Sequence, residues 1–296
     1  MEETTKRSTA GSPTLQVMIC TYGREGLARV AASSHPRVEG VEYLVSMQED
    51  PDGEECRVPK ELDREDFRIF SHISKGLSIN RNVAISKATA PLLLISDDDV
   101  DYTEEGLLAV IDAFNKYAEA DLITFRYDTM NKKKKYPAKV YDISVREKEH
   151  FISSIEIAFR RESVQGKIWF NENFGIGAIF PSGEEDIFIR DCLDAGRKGI
   201  FLPVTIARHD GMTTSGRNLM LPSRPQTKGA VFLRLYPRQW PLRMIAHAIR
   251  EIPLWKKGLV PSPLSYCINW IKGANMARKK NVFPTPDYSL HYPCHE

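Results

Sequence analysis

The sequence predicts an α/β fold, in which a mixed sheet is flanked by helices and followed by a mostly helical C-terminal extension. Two observations support this class. Short apolar runs typical of buried strands alternate with amphipathic helical patterns up to about residue 215. Beyond residue 228 the apolar residues recur at helical spacing instead. We therefore expect a disordered N-terminus over residues 1–14, an α/β domain over residues 15–227 and a basic amphipathic C-terminal region over residues 228–296.

Each predicted element follows from a local pattern. Strands are short apolar runs between polar boundaries, and helices carry apolar residues three or four positions apart. Thr103 is a favourable N-cap, and two acidic residues follow it in the first helical turn. The predicted strands are 15–20, 41–47, 67–72, 92–96, 121–127, 155–161, 168–170 and 199–206. The predicted helices of the α/β domain are 25–32, 79–88, 103–117 and 187–193.

The composition excludes several classes of protein. With 296 residues and 42% hydrophobic residues, the chain can bury a sizeable core. No apolar run at the N-terminus resembles a secretory signal, and no run reaches the ~18 residues of a membrane span, so we expect a cytoplasmic protein. The five cysteines are scattered without a C-x-x-C pair, which argues against a disulfide framework and a structural zinc site.

The strongest local signal is the run 92–101. Leu92 to Ile95 are four bulky apolar residues, which predict a strand buried on both faces. Three carboxylates, Asp97, Asp98 and Asp99, follow at its C-terminal end, where open α/β sheets bind ligands. Adjacent carboxylates repel one another unless a cation compensates, so Mg²⁺ or Mn²⁺ with a substrate's phosphates is the natural partner. The alternative is a solvated acidic turn.

The chain lacks both glycine-rich phosphate-binding patterns, G-x-G-x-x-G and G-x-x-x-x-G-K-[ST]. Phosphates would therefore have to be neutralised by other means, and a carboxylate-bound metal would serve.

Several motifs together carry a family resemblance. They are C-T-Y-x-R after the first strand, acids after the second, K-G-L-S-x-x-R-N-x-A-I before the strand that ends in D-D-D, and a later G-E-E-D. This ordered set resembles glycosyltransferase family 2 on a GT-A fold, over residues 15–215. The resemblance implies transfer of a sugar, with inversion, from a nucleotide-sugar donor such as a UDP-sugar. The acceptor would be a hydroxyl of a saccharide or lipid-linked saccharide, as in surface polysaccharide biosynthesis.

The resemblance also assigns the donor site. Asp97 and Asp99 match the D-x-D motif that holds Mn²⁺ or Mg²⁺, and Asp98 would share the ribose or the metal. His209 would be a third metal ligand or a diphosphate contact, although a lone His at a strand end is more often structural. The remaining donor-binding residues would be Thr21, Tyr22, Arg24, Glu49, Asp52, Lys75 and Arg81. The turn after the second strand, Q-E-D-P-D, departs from the family's usual D-x-S/G and leaves the base-contacting acid open.

The proton acceptor is expected in the segment G-E-E-D. This segment begins an amphipathic helical pattern that Gly196 ends, so its acids could simply complement the helix dipole. The resemblance gives Asp186 the role of catalytic base, with Glu185 beside it as an acceptor contact or second candidate. It also implies that residues 173–178 line the donor-sugar pocket and that residues 213–215 form a mobile loop.

The C-terminal region differs in charge from the rest of the chain. Residues 228–280 contain eleven Lys and Arg and one acidic residue, Glu251, although the whole chain has a net charge of only +2. Leu242, Ile245, Ile249 and Ile252 recur at helical spacing. A basic amphipathic helix with nearby tryptophans indicates contact with an anionic membrane surface, peripheral on its inner face. A helix that packs on the catalytic domain is an equal alternative, and no nucleic-acid motif accompanies the charge.

Three other functions fit parts of the pattern. An EF-hand that starts at Asp97 is excluded, because Tyr102 and Leu108 stand where the loop needs Gly and Glu. A haloacid-dehalogenase-like phosphatase would use the D-x-D-x-T pattern of residues 99–103, but that family normally begins with this strand. A non-catalytic sugar-nucleotide-binding protein would look similar, and the presence of both D-D-D and E-E-D argues mildly against it.

Overall fold

The computed structural model describes residues 12–51, 56–130, 134–145, 151–210 and 220–294. The strands are β1 (Leu15–Tyr22), β2 (Val41–Glu49), β3 (Phe67–Ile73), β4 (Leu92–Ser96), β5 (Asp101–Tyr102), β6 (Leu122–Asp128), β7 (Tyr141–Asp142), β8 (Ile157–Arg160) and β9 (Gly199–Arg208). The helices are α1 (Gly23–Ala32), α2 (Leu77–Lys87), α3 (Glu104–Lys116), α4 (Arg161–Val164), α5 (Glu184–Asp194), α6 (Ser223–Leu235), α7 (Trp240–Lys256) and α8 (Pro263–Lys279).

The strands form one mixed sheet in the order β3-β2-β1-β4-β8-β6-β9-β5, and β7 pairs with β9. The strands β3, β2, β1 and β4 are parallel, whereas β8 runs antiparallel to both β4 and β6. Helices cover the sheet, and the predicted mixed α/β architecture with a helical C-terminal region is confirmed. The carboxyl ends of β1, β2 and β4 meet at one edge, where open α/β sheets bind ligands.

Strand β4 is the centre of this sheet, as its sequence predicts. All five of its residues are buried, between β1 on one side and β8 on the other. Each fully buried Leu or Ile side chain contributes ~1.5–3 kcal/mol to the hydrophobic stabilisation. The strand therefore holds the carboxylates that follow it on a rigid support.

Two predicted strands differ in the structure. The segment 168–170 is buried but forms no strand, because Asn82 on α2 takes the place of a neighbouring strand. The Asn82 side chain accepts from Phe170 N at 2.8 Å and donates to Phe170 O at 3.0 Å. The expected strand 155–161 shortens to β8, because Ser154–Glu156 forms a 3-10 turn that Ser153 caps. An apolar run alone does not distinguish these outcomes.

The C-terminal helices are joined to the domain through α6. Gly229 on α6 and Gly273 on α8 allow the two helices to touch, since a Cβ on either glycine would lie 1.9 Å from a backbone oxygen of the other helix. Val231 on α6 packs against Gly183 at the start of α5 in the same way, with 2.4 Å to a Cβ built there. The predicted domain boundary at residues 227 and 228 falls within α6. No helix in the described ranges is long and apolar enough to cross a membrane.

Candidate functional site

One large cavity opens at the carboxyl edge of the sheet. Its volume of about 1470 Å³ exceeds the ~300–1,000 Å³ of most small-molecule sites, and so leaves room for two substrates. It brings together ten of the residues that the sequence singles out: Thr21, Tyr22, Lys75, Arg81, Asp97, Asp98, Asp99, Glu185, Asp186 and His209.

The three carboxylates after β4 have different partners. Asp98 accepts two hydrogen bonds from the Arg29 guanidinium on α1, at 2.9 and 2.8 Å, and one from Thr21 Oγ1 at 2.6 Å. This arrangement needs Gly26, because a Cβ there would lie 2.0 Å from Thr21 Oγ1. The oxygens of Asp98 are therefore engaged in joining β4 to β1 and α1.

Asp99 is paired with His209. The Asp99 Oδ1 and His209 Nε2 atoms are 3.0 Å apart, and strand pairing of β5 with β9 brings the two residues to the same place. The hydrogen bond with Asp99 raises the pKa of His209, and the same bond lowers the pKa of Asp99. The ring of Tyr127 packs edge-on against His209 at 6.0 Å. An imidazole and a carboxylate at this distance are donors of the type that Mn²⁺ accepts.

Asp97 faces Arg81 instead. Its Oδ1 lies 3.4 Å from Arg81 Nη2, and its Oδ2 accepts from Ser154 Oγ at 3.2 Å. Among the described residues no three His, Cys, Asp or Glu side chains are grouped closely enough to enclose a metal ion. The donor set fits Mg²⁺ or Mn²⁺ of the kind that takes one or two carboxylates and is completed by substrate phosphates.

Arg81 is buried at the junction of α2, β4 and α5. Only 1% of its side chain is exposed, and its guanidinium lies 3.2 Å from Glu184, 3.5 Å from Glu185 and 3.4 Å from Asp97. Arg81 therefore pairs with three acids in the interior of the protein.

The first turn of α5 carries Glu184, Glu185 and Asp186. Burial raises the pKa of Glu184. Burial and the neighbouring Glu184 raise the pKa of Glu185 to about 8, which leaves this carboxyl mostly protonated at neutral pH. Asp186 is half-buried and lines the cavity. The cavity wall thus presents a protonated carboxyl, Glu185, next to Asp186.

The predicted turn 173–178 reaches the cavity through Ile176 and Gly177. Leu77 N donates to Ile176 O at 2.9 Å, which fixes the turn on the start of α2. Gly177 has a φ of 85°, and a Cβ there would lie 3.2 Å from Gly76 Cα, so this close approach requires glycine.

Residues 49–173 match the model of the family described as Glycosyl transferase family 2. The chain carries a glycosyltransferase family 2 domain. It is therefore a glycosyltransferase. A comparison with curated protein sequences finds no match.

Solved structures show the fold of the glycosyltransferase domain. S. aureus TarS 1-349 superposes with a TM-score of 0.55 at 14% identity, over 90% of this chain and 92% of that chain. The same TarS fragment in complex with UDP-GlcNAc gives 0.54 at 14% identity and the same coverage. The mannosyltransferase PcManGT from Pyrobaculum calidifontis, in complex with GDP-Man and Mn²⁺, gives 0.51 at 14% identity, over 91% of this chain and 76% of that chain. These similarities establish a GT-A fold.

Two described residues assigned to the glycosyltransferase donor site do not line the cavity. Arg24 is exposed in the first turn of α1, and Glu49 is half-buried at the end of β2. Asp52 lies outside the described residues, as does the predicted loop 213–215.

Other residues line the cavity of the glycosyltransferase without having been predicted. Arg29 stands five residues beyond Arg24 on α1 and lines the cavity, which Arg24 does not. Asn80 donates to Thr21 O at 3.0 Å, and Gln48 donates to Gly76 O at 3.1 Å, so these two amides fix the loops at the ends of β1 and β3. Asn80 occupies an unspecified position of the quoted K-G-L-S-x-x-R-N motif, so the motif indicated its neighbourhood but not the residue itself.

Proposed function

We propose that this glycosyltransferase is inverting and metal-dependent. Its donor would be a nucleotide-sugar, a UDP-sugar. The acceptor would be a hydroxyl group of a saccharide or lipid-linked saccharide in surface polysaccharide biosynthesis. One observation carries the proposal. A single cavity is lined by the pair Asp99 and His209 on one wall and by Asp186 on another. The neighbours with UDP-GlcNAc and with GDP-Man and Mn²⁺ support a donor of this class.

The proposed reaction divides the residues into two groups. Asp99 and His209, with Asp97 beside them, would hold Mn²⁺ or Mg²⁺. The bound ion would neutralise the charge that develops on the leaving nucleoside diphosphate. Thr21, Tyr22, Lys75 and Arg81 would position the base, ribose and diphosphate of the donor.

Asp186 would act on the acceptor. Its carboxylate takes the proton of the acceptor hydroxyl while that oxygen bonds to the anomeric carbon and the carbon–phosphate oxygen bond breaks. The nucleoside diphosphate leaves with the electron pair of that bond. Attack from the Asp186 side, opposite the leaving group, inverts the anomeric carbon. Such a base contributes ~10²–10⁴-fold to a rate.

Two contacts count against the phosphatase alternative. Asp101, the second carboxylate of its D-x-D-x-T pattern, accepts from Ser34 N at 2.7 Å and is not among the residues that line the cavity. Thr103 caps α3 by accepting from Gly106 N at 3.1 Å. Both residues have structural partners in place of a phosphate.

Thermal melting with nucleotides tests the donor site. We expect one nucleoside diphosphate among UDP, GDP, CDP and TDP to raise the melting temperature, and only with Mn²⁺. At 100 times the Kd the stabilisation is ~2.7 kcal/mol, which is a shift of roughly 5–10 °C. Asp99→Ala should abolish the shift, because the metal loses a ligand.

Asp112→Ala on the exposed face of α3 is the matched control and should keep the shift. AMP should have no effect. The donor-site proposal fails if no diphosphate stabilises the wild-type protein, or if Asp99→Ala responds as the wild type does.

We further propose that α7 and α8 contact an anionic membrane. The apolar stripe of α7 faces outward, with 71% of Leu242, 51% of Ile245 and 59% of Ile249 exposed. Leu264, Ile268 and Ile271 on α8 are also exposed, one helical turn apart. Nothing in the described part of the chain covers this stripe. The helix packs on α6 and α8 through its other side, which includes Ala248.

The exposed Lys256 and Lys257 at the end of α7 supply charge complementary to anionic lipid. Sedimentation with phosphatidylglycerol vesicles should recover the protein, and phosphatidylcholine vesicles should recover less. The double variant Ile245→Ser and Ile249→Ser should reduce binding at least tenfold, since each loses buried apolar area. Leu290→Ser, at a position that is 97% exposed outside these helices, is the control. Unchanged binding in the double variant, or a concentration-dependent dimer without vesicle binding, would contradict the proposal.

A further inference from the structure

The cavity has a further wall that the proposed reaction does not use. Helices α6 and α7 supply this wall, which we call the cationic wall and define as Thr227, Lys228, Arg243 and Arg250. It contrasts with the carboxylates that end β4 and begin α5, on the other walls of the same cavity.

Positive charge on the cationic wall is only partly balanced. Lys228 Nζ lies 3.7 Å from Glu251, the nearest acid. Glu251 already accepts two hydrogen bonds from Arg224, at 3.0 and 3.1 Å. Burial lowers the pKa of Lys228 to about 8, and repulsion from Arg224 and Arg250 adds to this. Lys228 is still charged at neutral pH, in surroundings that are short of negative charge.

Two polar groups of the wall are left without partners in the described part of the chain. Thr227 is only 3% exposed, and its Oγ1 has no hydrogen-bond partner there. The Nε of Arg243 has none either. The Arg243 guanidinium is nevertheless fixed, since it lies 3.6 Å from the ring centroid of Tyr236 and donates to Gln239 Oε1 at 3.2 Å. Buried donors without partners are costly unless a ligand satisfies them.

We propose that the cationic wall binds a phosphate group of the acceptor, so that the acceptor is a phosphate-bearing molecule and not a neutral saccharide. This inference rests on the proposed function. The donor's diphosphate is expected beside Asp99 and His209, whereas the wall adjoins α5, where Asp186 meets the acceptor hydroxyl. This wall presents one hydroxyl, one ammonium and two guanidinium groups, and phosphate oxygens accept hydrogen bonds from all of them.

A phosphate on the acceptor could come from a phosphodiester chain or from a lipid pyrophosphate. Both present the same anionic oxygens to Lys228 and Arg243. The wall would also steer such acceptors toward the cavity, because field lines concentrate in clefts lined by one sign of charge.

Ligand-detected NMR tests the inference. The donor site is first filled with the nucleoside diphosphate and metal that melting identifies, and glycerol 3-phosphate or glycerol is then titrated. We expect a Kd on the order of 1 mM for glycerol 3-phosphate and no binding of glycerol. Lys228→Gln should weaken binding about tenfold, the equivalent of one charge-assisted hydrogen bond, and Lys228→Arg should restore most of it.

Lys272→Gln, at an exposed position of α8, is the matched control and should bind as the wild type does.

Two further probes separate the sources of phosphate. Tighter binding of glycerophosphoglycerol than of geranyl pyrophosphate indicates a phosphodiester chain, and the reverse order indicates a lipid pyrophosphate.

Binding that is equal for glycerol and glycerol 3-phosphate, or unchanged in Lys228→Gln, would overturn the inference while the nucleotide experiment stands. If the nucleoside diphosphate itself does not bind, the proposed function fails, and with it the assignment of the bound phosphate to an acceptor. Melting temperatures of the variants establish that each one is folded.

Discussion

We expect Asp186→Asn to lower kcat for sugar transfer by about 10²–10⁴-fold, the usual contribution of a general base. Asparagine has nearly the same shape as aspartate but does not accept the proton of the acceptor hydroxyl. The neighbouring Glu185 is a poor substitute at neutral pH, because burial and Glu184 raise its pKa to about 8. The Kd of the nucleoside diphosphate should change by less than about twofold, since the role of Asp186 is on the acceptor side.

The measurement is the steady-state rate of nucleoside diphosphate release with acceptor present, beside the Kd from calorimetry. Asp112→Asn on the exposed face of α3 should retain full activity and serves as the control. A greater loss in Glu185→Gln than in Asp186→Asn would reverse the two roles. In that event the wild-type rate should rise with pH through about 8, where Glu185 loses its proton.

Local sequence patterns correctly predicted the features that depend on residues close together in the sequence. The predicted strand 92–96 matches β4 at both ends, and Thr103 caps α3 through its side chain as expected. The acids after β4 lie at the carboxyl edge of the sheet, as parallel strands predict, and the acids that begin α5 line the same cavity. The roles of the individual site residues were predicted from the family motifs and not from local patterns.

Local sequence patterns did not predict contacts between residues that are far apart in the sequence. Arg29 meets Asp98 across 69 positions, and no spacing in the sequence distinguishes Asp98 from Asp97 and Asp99. Likewise the run 168–170 has the composition of a strand, but its backbone partners are the side-chain atoms of Asn82, 88 positions away. The outward stripe of α7 was identified as apolar, yet the identity of its neighbours depended on how α6 and α8 pack.

Arg81→Met should cause the largest loss of stability, about 3–5 kcal/mol in the free energy of unfolding. The change removes the cation that lies within 3.5 Å of Glu184, Glu185 and Asp97, and so leaves buried carboxylates unpaired. Urea denaturation measures the loss. Arg190→Met is the matched control, because Arg190 is 46% exposed and pairs with the exposed side of Asp194. An exposed pair of this kind contributes less than about 1 kcal/mol.

The pH dependence of the destabilisation by Arg81→Met distinguishes a loss of charge balance from a loss of packing. The pKa of Glu185 lies near 8 in the folded protein and near 4.5 as a free side chain, so the folded state retains a proton between these values that the unfolded state releases. Stability from this group is therefore present below about pH 4.5 and declines as the pH rises toward 8. Without Arg81 the carboxylates are harder still to ionise. Below about pH 8 both proteins retain the Glu185 proton when folded, whereas at pH 9 the wild type has released it and the variant has not. The destabilisation of Arg81→Met should therefore be greater at pH 9 than at pH 6. Adding Glu185→Gln to Arg81→Met should recover more of the loss at pH 9 than at pH 6. A loss that is the same at both pH values, and that Glu185→Gln does not relieve, would mean that Arg81 stabilises the fold by filling space beside Phe170 and not by balancing charge.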